Sequence, residues 1–326
     1  MFLVQSSLWS SIFAFFEEIR YGKAIRMMPP PDDPIFIIGH WRTGSTLLHQ
    51  LMNLDPELSA PTLFEVALPD SFLTSYPYYK PVMKWLVDKF RPMDMVKLGM
   101  DEPQEDEYAI YRICRFSPLE SLVFPKSKEY FLNRYDTYIP ANDELVIWKE
   151  QLIRFYTRLF YKKRKTIVSK NPFNSFRIPL LISLFPKSRF IHIVRHPYDV
   201  VPSTIRMWDI VQQQNCLNSN AHRPTISEVV KVMDRLFTNI NKDRGLVPSN
   251  RYTEVKFEEL EKDPRATLQK IYQKFGLPFS IQFEKRLISF LDEVKSYKKN
   301  QFLLTEDEKA TIRDQLTTFM QQFDYV

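Results

Sequence analysis

The stretch Ile35-Phe36-Ile37-Ile38-Gly39-His40-Trp41-Arg42-Thr43-Gly44-Ser45-Thr46-Leu47-Leu48 constrains the fold more than any other part of the chain. Four consecutive apolar residues predict a short strand buried on both faces. The glycines bound a tight loop. Beyond it, Leu47, Leu48, Leu51 and Leu54 form the apolar stripe of a helix. A strand that feeds a loop and then a helix makes an anion site, because the first helical N–H groups have no internal partner. Gly39 and Gly44 are separated by four residues, as in a nucleoside-triphosphate P-loop. The next residues, however, are Ser45-Thr46, where such a loop needs Lys and then Ser or Thr. The cation lies inside the loop instead, as Arg42. The pattern predicts a phosphate-like ligand other than a magnesium-bound triphosphate.

A second motif sharpens this expectation. Arg189-Phe190-Ile191-His192-Ile193-Val194 reads as a central strand, and Pro197 cannot continue it. Arg195 therefore sits at the strand's C-terminal end. Asp199 is expected to cap the following helix, with Ser203 near its first turns. Thr166–Ser169 and Arg189–Val194 bracket a helical 177–185, which is a βαβ unit and implies a parallel sheet. Ligands bind at the C-terminal strand ends of such sheets. Arg195 and Ser203 are thus expected to converge on one anion beside the first loop.

In this order, the two motifs resemble the sulfotransferase family, and the resemblance runs from about Pro34 to about Phe302. It implies an α/β, three-layer P-loop-like fold with a central parallel sheet and a partly helical insertion. It also implies transfer of a sulfuryl group from 3′-phosphoadenosine 5′-phosphosulfate (PAPS), with no metal required. Arg42, Thr43, Gly44, Ser45 and Thr46 match the motif that binds the 5′-phosphosulfate. Arg195 and Ser203, eight residues apart, match the pair that holds the 3′-phosphate. Val255-Lys256-Phe257-Glu258-Glu259-Leu260 and Asp263-Pro264 resemble the family's late strand and acidic turn. Phe257 there replaces a common tyrosine and keeps a surface for stacking adenine. Tyr297-Lys298-Lys299-Asn300-Gln301-Phe302 resembles the basic lid over the nucleotide, with Lys299 as its cation.

Sulfuryl transfer needs positioning and stabilisation of charge on the equatorial oxygens and the leaving group. Arg42 and the loop amides supply one set of stabilisers. Lys170, after the strand Thr166–Ser169, matches a lysine that reaches the bridging oxygen or the sulfuryl group. The cytosolic branch of the family places a catalytic histidine two residues later; here that position is Pro172. The base must come from elsewhere, and a carboxylate is the natural replacement. Glu65 is the first candidate and resembles the catalytic glutamate of tyrosylprotein sulfotransferases. Its neighbours Phe64, Val66 and Leu68 are expected to raise its pKa by desolvation. Glu105 and Asp106 form the second candidate set. They lie in the acidic stretch Asp101-Glu102-Pro103-Gln104-Glu105-Asp106-Glu107, for which a solvated loop or helix start is the plainer reading.

At 326 residues the chain suits one α/β domain with a large insertion. Residues 1–34 read as an N-terminal helix and a proline-rich linker. Residues 35–326 read as the catalytic domain, with a substrate-facing insertion at about 61–165 that contains helical pieces at 82–90 and 144–161. The net charge of +6 suits an anionic ligand. The run Lys162-Lys163-Arg164-Lys165 reads as a solvated turn, and no nucleic-acid-binding module is recognisable. Cys114 and Cys216 lack a CxxC partner, the five histidines are dispersed in sequence, and a reduced, cytoplasmic setting is expected. Phe2 to Phe16 is too short and polar to span a bilayer. Trp9, Ile12, Phe13 and Phe16 recur at helical spacing, which fits a helix docked on the domain or one resting peripherally on a membrane surface. The expected acceptor is a small molecule, lipid or carbohydrate bearing a hydroxyl. Two rivals stand beside this reading: an ATP-dependent small-molecule kinase, for which Ser45 replaces the needed lysine, and a non-catalytic nucleotide-binding or membrane-surface protein on the same fold. Oligomeric state is not legible in the sequence.

Overall fold

The computed structural model describes residues 2–86, 99–125, 139–140, 142–217, 220–294 and 302–325. Its centre is a parallel sheet of strands β1 (Ile35–Ile38), β2 (Leu58–Ser59), β3 (Thr166–Lys170), β4 (Arg189–Val194) and β5 (Tyr252–Lys256). The order is β2-β3-β1-β4-β5. In register, Ile35 faces Val168 on β3 and Arg189 on β4. Strand β1 is thus covered on both edges and both faces, which is why its sequence is an unbroken apolar run.

Successive side chains of β1 enter different layers. Ile35 and Ile37 pack with Leu48 and Leu51 of the helix Ser45–Asn53 and with Leu268 and Ile271 of the helix Pro264–Phe275. Phe36 and Ile38 join the opposite core, with Tyr156, Phe185, Leu236 and Ile240. Each such buried side chain stabilises the fold by about 1.5–3 kcal/mol. This is the three-layer α/β arrangement expected from the motifs.

Because all strands are parallel, their C-terminal ends share one edge. The chain crosses from β3, on one side of β1, to β4 on the other, so the C-terminal ends of these strands form the switch point at which such sheets bind ligands. Gly39, Lys170, Arg195 and Phe257 stand at the ends of β1, β3, β4 and β5.

The connection from β3 to β4 is a 3₁₀ turn, Pro172–Phe176, followed by the helix Ile178–Leu184. The Asn171 side chain caps that turn by accepting from the Phe173 N–H at 3.0 Å. In the segment between β2 and β3, the helix expected at 144–161 runs Asn142–Lys163. The one expected at 82–90 is Phe72–Leu86, and residues 87–90 lie outside the described residues. Phe64, Phe72, Trp148 and Phe155 from this segment share one cluster with Phe36, so it covers a face of the sheet.

The N-terminal helix extends from Phe2 to Arg26, past the expected 16, and packs on the helices Phe72–Leu86 and Asn142–Lys163. Its anchor is Glu17, fully buried, which accepts from the Thr74 N–H at 3.0 Å and lies 3.7 Å from Arg158 Nε. Burial pushes the Glu17 carboxyl up to about 7 against the pull of Arg158. Among the described residues, no helix is long and apolar enough to cross a membrane.

Candidate active site

The loop after β1 is held open by two glycines and closed by its own side chains. Gly39 has φ 136°, and a Cβ there would lie 2.4 Å from the Ile193 carbonyl oxygen, so β1 and β4 approach closely only with glycine. Its N–H donates to Ser175 Oγ at 2.9 Å. Thr43 Oγ1 donates to the His40 carbonyl at 2.8 Å. Arg42 (φ 68°) and Gly44 (φ 88°) both take left-handed backbone. Gly44 is the N-cap of the helix Ser45–Asn53 and offers no side-chain cap. The helix's first N–H groups therefore stand beyond the C-terminal end of β1 without a capping side chain, as an anion site requires.

Arg42 Nε donates to Ser203 Oγ at 2.9 Å, which ties the first motif to the second. Arg195 leaves the end of β4 and pairs with Asp199 at 3.1 Å. Asp199 is thus not the helix cap that its position suggests. His196 takes that place, accepting from the Tyr198 N–H at 3.2 Å on Nδ1. The Arg195 guanidinium lies 4.5 Å from the centre of the Phe257 ring. A Cβ on Gly44 would come within 2.0 Å of the same ring. Gly44, Phe257 and Arg195 are therefore layered in contact, and glycine at 44 leaves the room the ring needs.

Lys170 closes β3, and its ammonium forms a charge-assisted contact with the Glu105 carboxylate. Both side chains are largely buried, at 5% and 16% exposure. Glu105 is held there by its two successors. Asp106 accepts from Tyr156 Oη at 2.5 Å, Ser169 Oγ at 2.7 Å and Asn171 Nδ2 at 2.9 Å. Glu107 accepts from Arg177 at 2.6 and 3.1 Å, Ser117 Oγ at 2.6 Å and Asn171 Nδ2 at 2.8 Å. Burial opposes charge on both. It prevails at Asp106, whose pKa is raised, whereas the Arg177 guanidinium outweighs it at Glu107 and holds that carboxyl low. The acidic stretch is a helix start, as one reading expected, with Asp106 as N-cap of the helix Glu107–Cys114, but its end is buried instead of solvated: Asp106 and Glu107 clamp it to the end of β3 and leave Glu105 against Lys170.

Glu65 has a different environment from the one its apolar neighbours suggest. It is fully buried and forms a capping box with Thr62. Its carboxylate also meets Lys162 at 3.0 Å and Lys163 at 2.8 Å. Burial works against its charge, but the two lysines outweigh it, and the pKa is lowered instead of raised. The same contacts correct the reading of Lys162 and Lys163 as a solvated turn. Asp106, with three donors on its two oxygens, likewise has a fixed place.

Thus Arg42, Thr43, Gly44, Ser45, Thr46, Lys170, Glu105, Arg195, Ser203 and Phe257 come to one sheet edge. Lys299 lies outside the described residues. The clamp residues Tyr156, Ser169, Asn171 and Arg177 carried no sequence signal. Only the proximity of Ser169 and Asn171 to Lys170 offered a hint.

The profile of the sulfotransferase family matches residues 34–280. An omega-hydroxy-beta-dihydromenaquinone-9 sulfotransferase, Stf3 of Mycobacterium bovis, is 34% identical over 319 residues, covering 98% of this chain and 82% of that protein. Among solved structures, sulfotransferase STF9 of Mycobacterium avium matches with a TM-score of 0.73 at 16% identity, over 96% of this chain and 81% of that one. STF1 of Mycobacterium tuberculosis matches at 0.64, also with 16% identity, over 97% and 84%. These likenesses support the fold, and the profile match with the 34% relative shows the family: the chain belongs to the sulfotransferases.

Proposed function

We propose that this sulfotransferase uses PAPS as its donor and sulfates a hydroxyl group on a lipid-like acceptor. The observation that carries the donor is the convergence of Arg42, Lys170 and Arg195 with an uncapped helix N-terminus on one sheet edge. These residues fit the group. The loop amides and Arg42 suit the 5′-phosphosulfate, and Arg195 with Ser203 suits the 3′-phosphate. Phe257 forms the wall between the two positions, with adenine stacking as its further role. Lys299 is the proposed lid cation. PAPS, when bound, supplies a sulfuryl group on a phosphate leaving group.

The protein's part is electrostatic. Lys170 Nζ offsets charge that develops on the leaving oxygen. Glu105 receives the proton of the acceptor hydroxyl on a carboxylate oxygen. Its contact with Lys170 places base and cation side by side, which suits attack and departure at one centre. Asp106 and Glu107 hold the loop in register with β3. Glu65, with both oxygens held by Lys162, Lys163 and the Thr62 N–H, is the less suited base, and we place it in support of the helical layer.

The acceptor reading rests on the relative named for a menaquinone derivative, which aligns over nearly the whole chain. The test of donor choice is thermal unfolding in two buffers, one with EDTA for adenosine 3′,5′-bisphosphate and one with magnesium and no chelator for ATP. Adenosine 3′,5′-bisphosphate (PAP) is expected to raise the melting temperature, by the equivalent of about 2.7 kcal/mol at a hundredfold excess over its Kd. ATP with magnesium is expected to shift it far less. Equal shifts would favour the kinase reading.

A further inference from the structure

The N-terminal helix Phe2–Arg26 has two faces. One is anchored to the domain by Glu17 and Ile25, both buried. The other points outward and carries several large apolar side chains. Phe15 is 64% exposed, Phe16 54%, Ile19 66% and, just past the helix, Met27 76%. The Phe15 and Phe16 rings meet edge to face at 5.8 Å, so the two present one aromatic ridge. Arg20 and Lys23 are exposed on the same side, between the apolar residues. The acids of this helix are elsewhere. Glu17 is inside, and Glu18 is partly buried and paired with Arg26 and Arg154.

Helical geometry aligns these groups. Phe15, Ile19 and Lys23 follow at intervals of four, with Phe16, Arg20 and Met27 beside them. The row is about 18 Å long. Tyr78, 66% exposed, extends the apolar surface from the neighbouring helix, its ring 5.6 Å from that of Phe13. A second copy of the chain is a poor occupant for this face. A two-fold contact sets the same patch against itself, so it doubles the positive charge of Arg20 and Lys23 and brings no acid to pair with it, Glu18 being engaged by Arg26 and Arg154. A surface that is fluid, apolar beneath and negatively charged above satisfies both residue classes at once.

We infer that the outward face of the N-terminal helix docks the enzyme on an anionic lipid membrane, with Phe15, Phe16, Ile19 and Met27 entering the interface and Arg20 and Lys23 at the headgroups. This goes beyond the sulfotransfer reading and stands on surface residues that the donor site does not use.

The full chain should co-sediment with phosphatidylcholine vesicles containing about 30% phosphatidylglycerol, and at least tenfold less with phosphatidylcholine alone. Added salt should weaken binding, since the Debye length shrinks. Arg20→Glu with Lys23→Glu, and separately Phe15→Ser with Ile19→Ser, should each abolish it. Lys23→Gln alone should weaken it about fivefold. All variants should keep the wild-type thermal shift with PAP, which reports an intact fold. Equal binding to both vesicle types, undiminished binding by the double variants, or absence of binding would overturn the inference. So would a dimer in analytical ultracentrifugation that Phe15→Ser with Ile19→Ser dissociates and vesicles do not displace.

Discussion

Glu105→Gln is expected to lower turnover by about 10²–10⁴-fold, the usual worth of a general base, while leaving PAPS affinity nearly intact. The substitution keeps the shape of the side chain and removes its basicity. The expectation rests on placement. Among the three proposed carboxylates, Asp106 is enclosed by Tyr156, Ser169 and Asn171, and Glu65 by Thr62, Lys162 and Lys163. Glu105 instead meets the lysine proposed to face the leaving group. Single-turnover rates and PAPS titrations on Glu105→Gln, Asp106→Asn and Glu65→Gln distinguish them. Only Glu105→Gln should separate chemistry from binding. Wild-type turnover in Glu105→Gln with a collapse in Glu65→Gln would move the base to residue 65.

Arg177→Ala is expected to destabilise the protein by about 3–5 kcal/mol, because it leaves Glu107 charged and buried without its partner. Both side chains of this pair are 1% exposed. The guanidinium also lies 4.9 Å from the Trp148 ring centre, so its removal opens space in a packed core. Equilibrium denaturation by urea measures the loss through the midpoint. Near-wild-type stability would mean that the Arg177–Glu107 pair does not anchor the acidic loop. Rescue by a second change, Glu107→Gln, is expected to be partial, since it removes the stranded charge and leaves the cavity.

Much of this architecture is legible in the chain itself. The apolar run Ile35–Ile38 and the strand Arg189–Val194 lie where their composition places them, because a central parallel strand is buried on both faces and carries its signature locally. Strand β2 escapes such reading, since two residues, Leu58 and Ser59, have no periodicity. The placement of the Gly39–Gly44 loop, Arg42, Lys170 and Arg195 at strand ends was readable for the same local reason: each closes or follows a strand. The roles within Glu105-Asp106-Glu107 were not. They depend on donors 50 or more positions away, at Tyr156, Ser169, Asn171 and Arg177. The direction of the Glu65 shift fails to follow from its neighbours because Lys162 and Lys163, nearly 100 positions on, decide it.

Recognition of the nucleotide by its 3′-phosphate is expected to appear in paired calorimetric titrations of wild type and Arg195→Ala. One ligand is PAPS. The other is adenosine 5′-phosphosulfate, which lacks the 3′-phosphate. Loss of a charge-assisted hydrogen bond of about 1.5–3 kcal/mol should weaken PAPS roughly 10- to 150-fold. Adenosine 5′-phosphosulfate should change by less than about threefold, since it offers Arg195 no phosphate to hold. Equal losses for both ligands, or none for PAPS, would contradict the account.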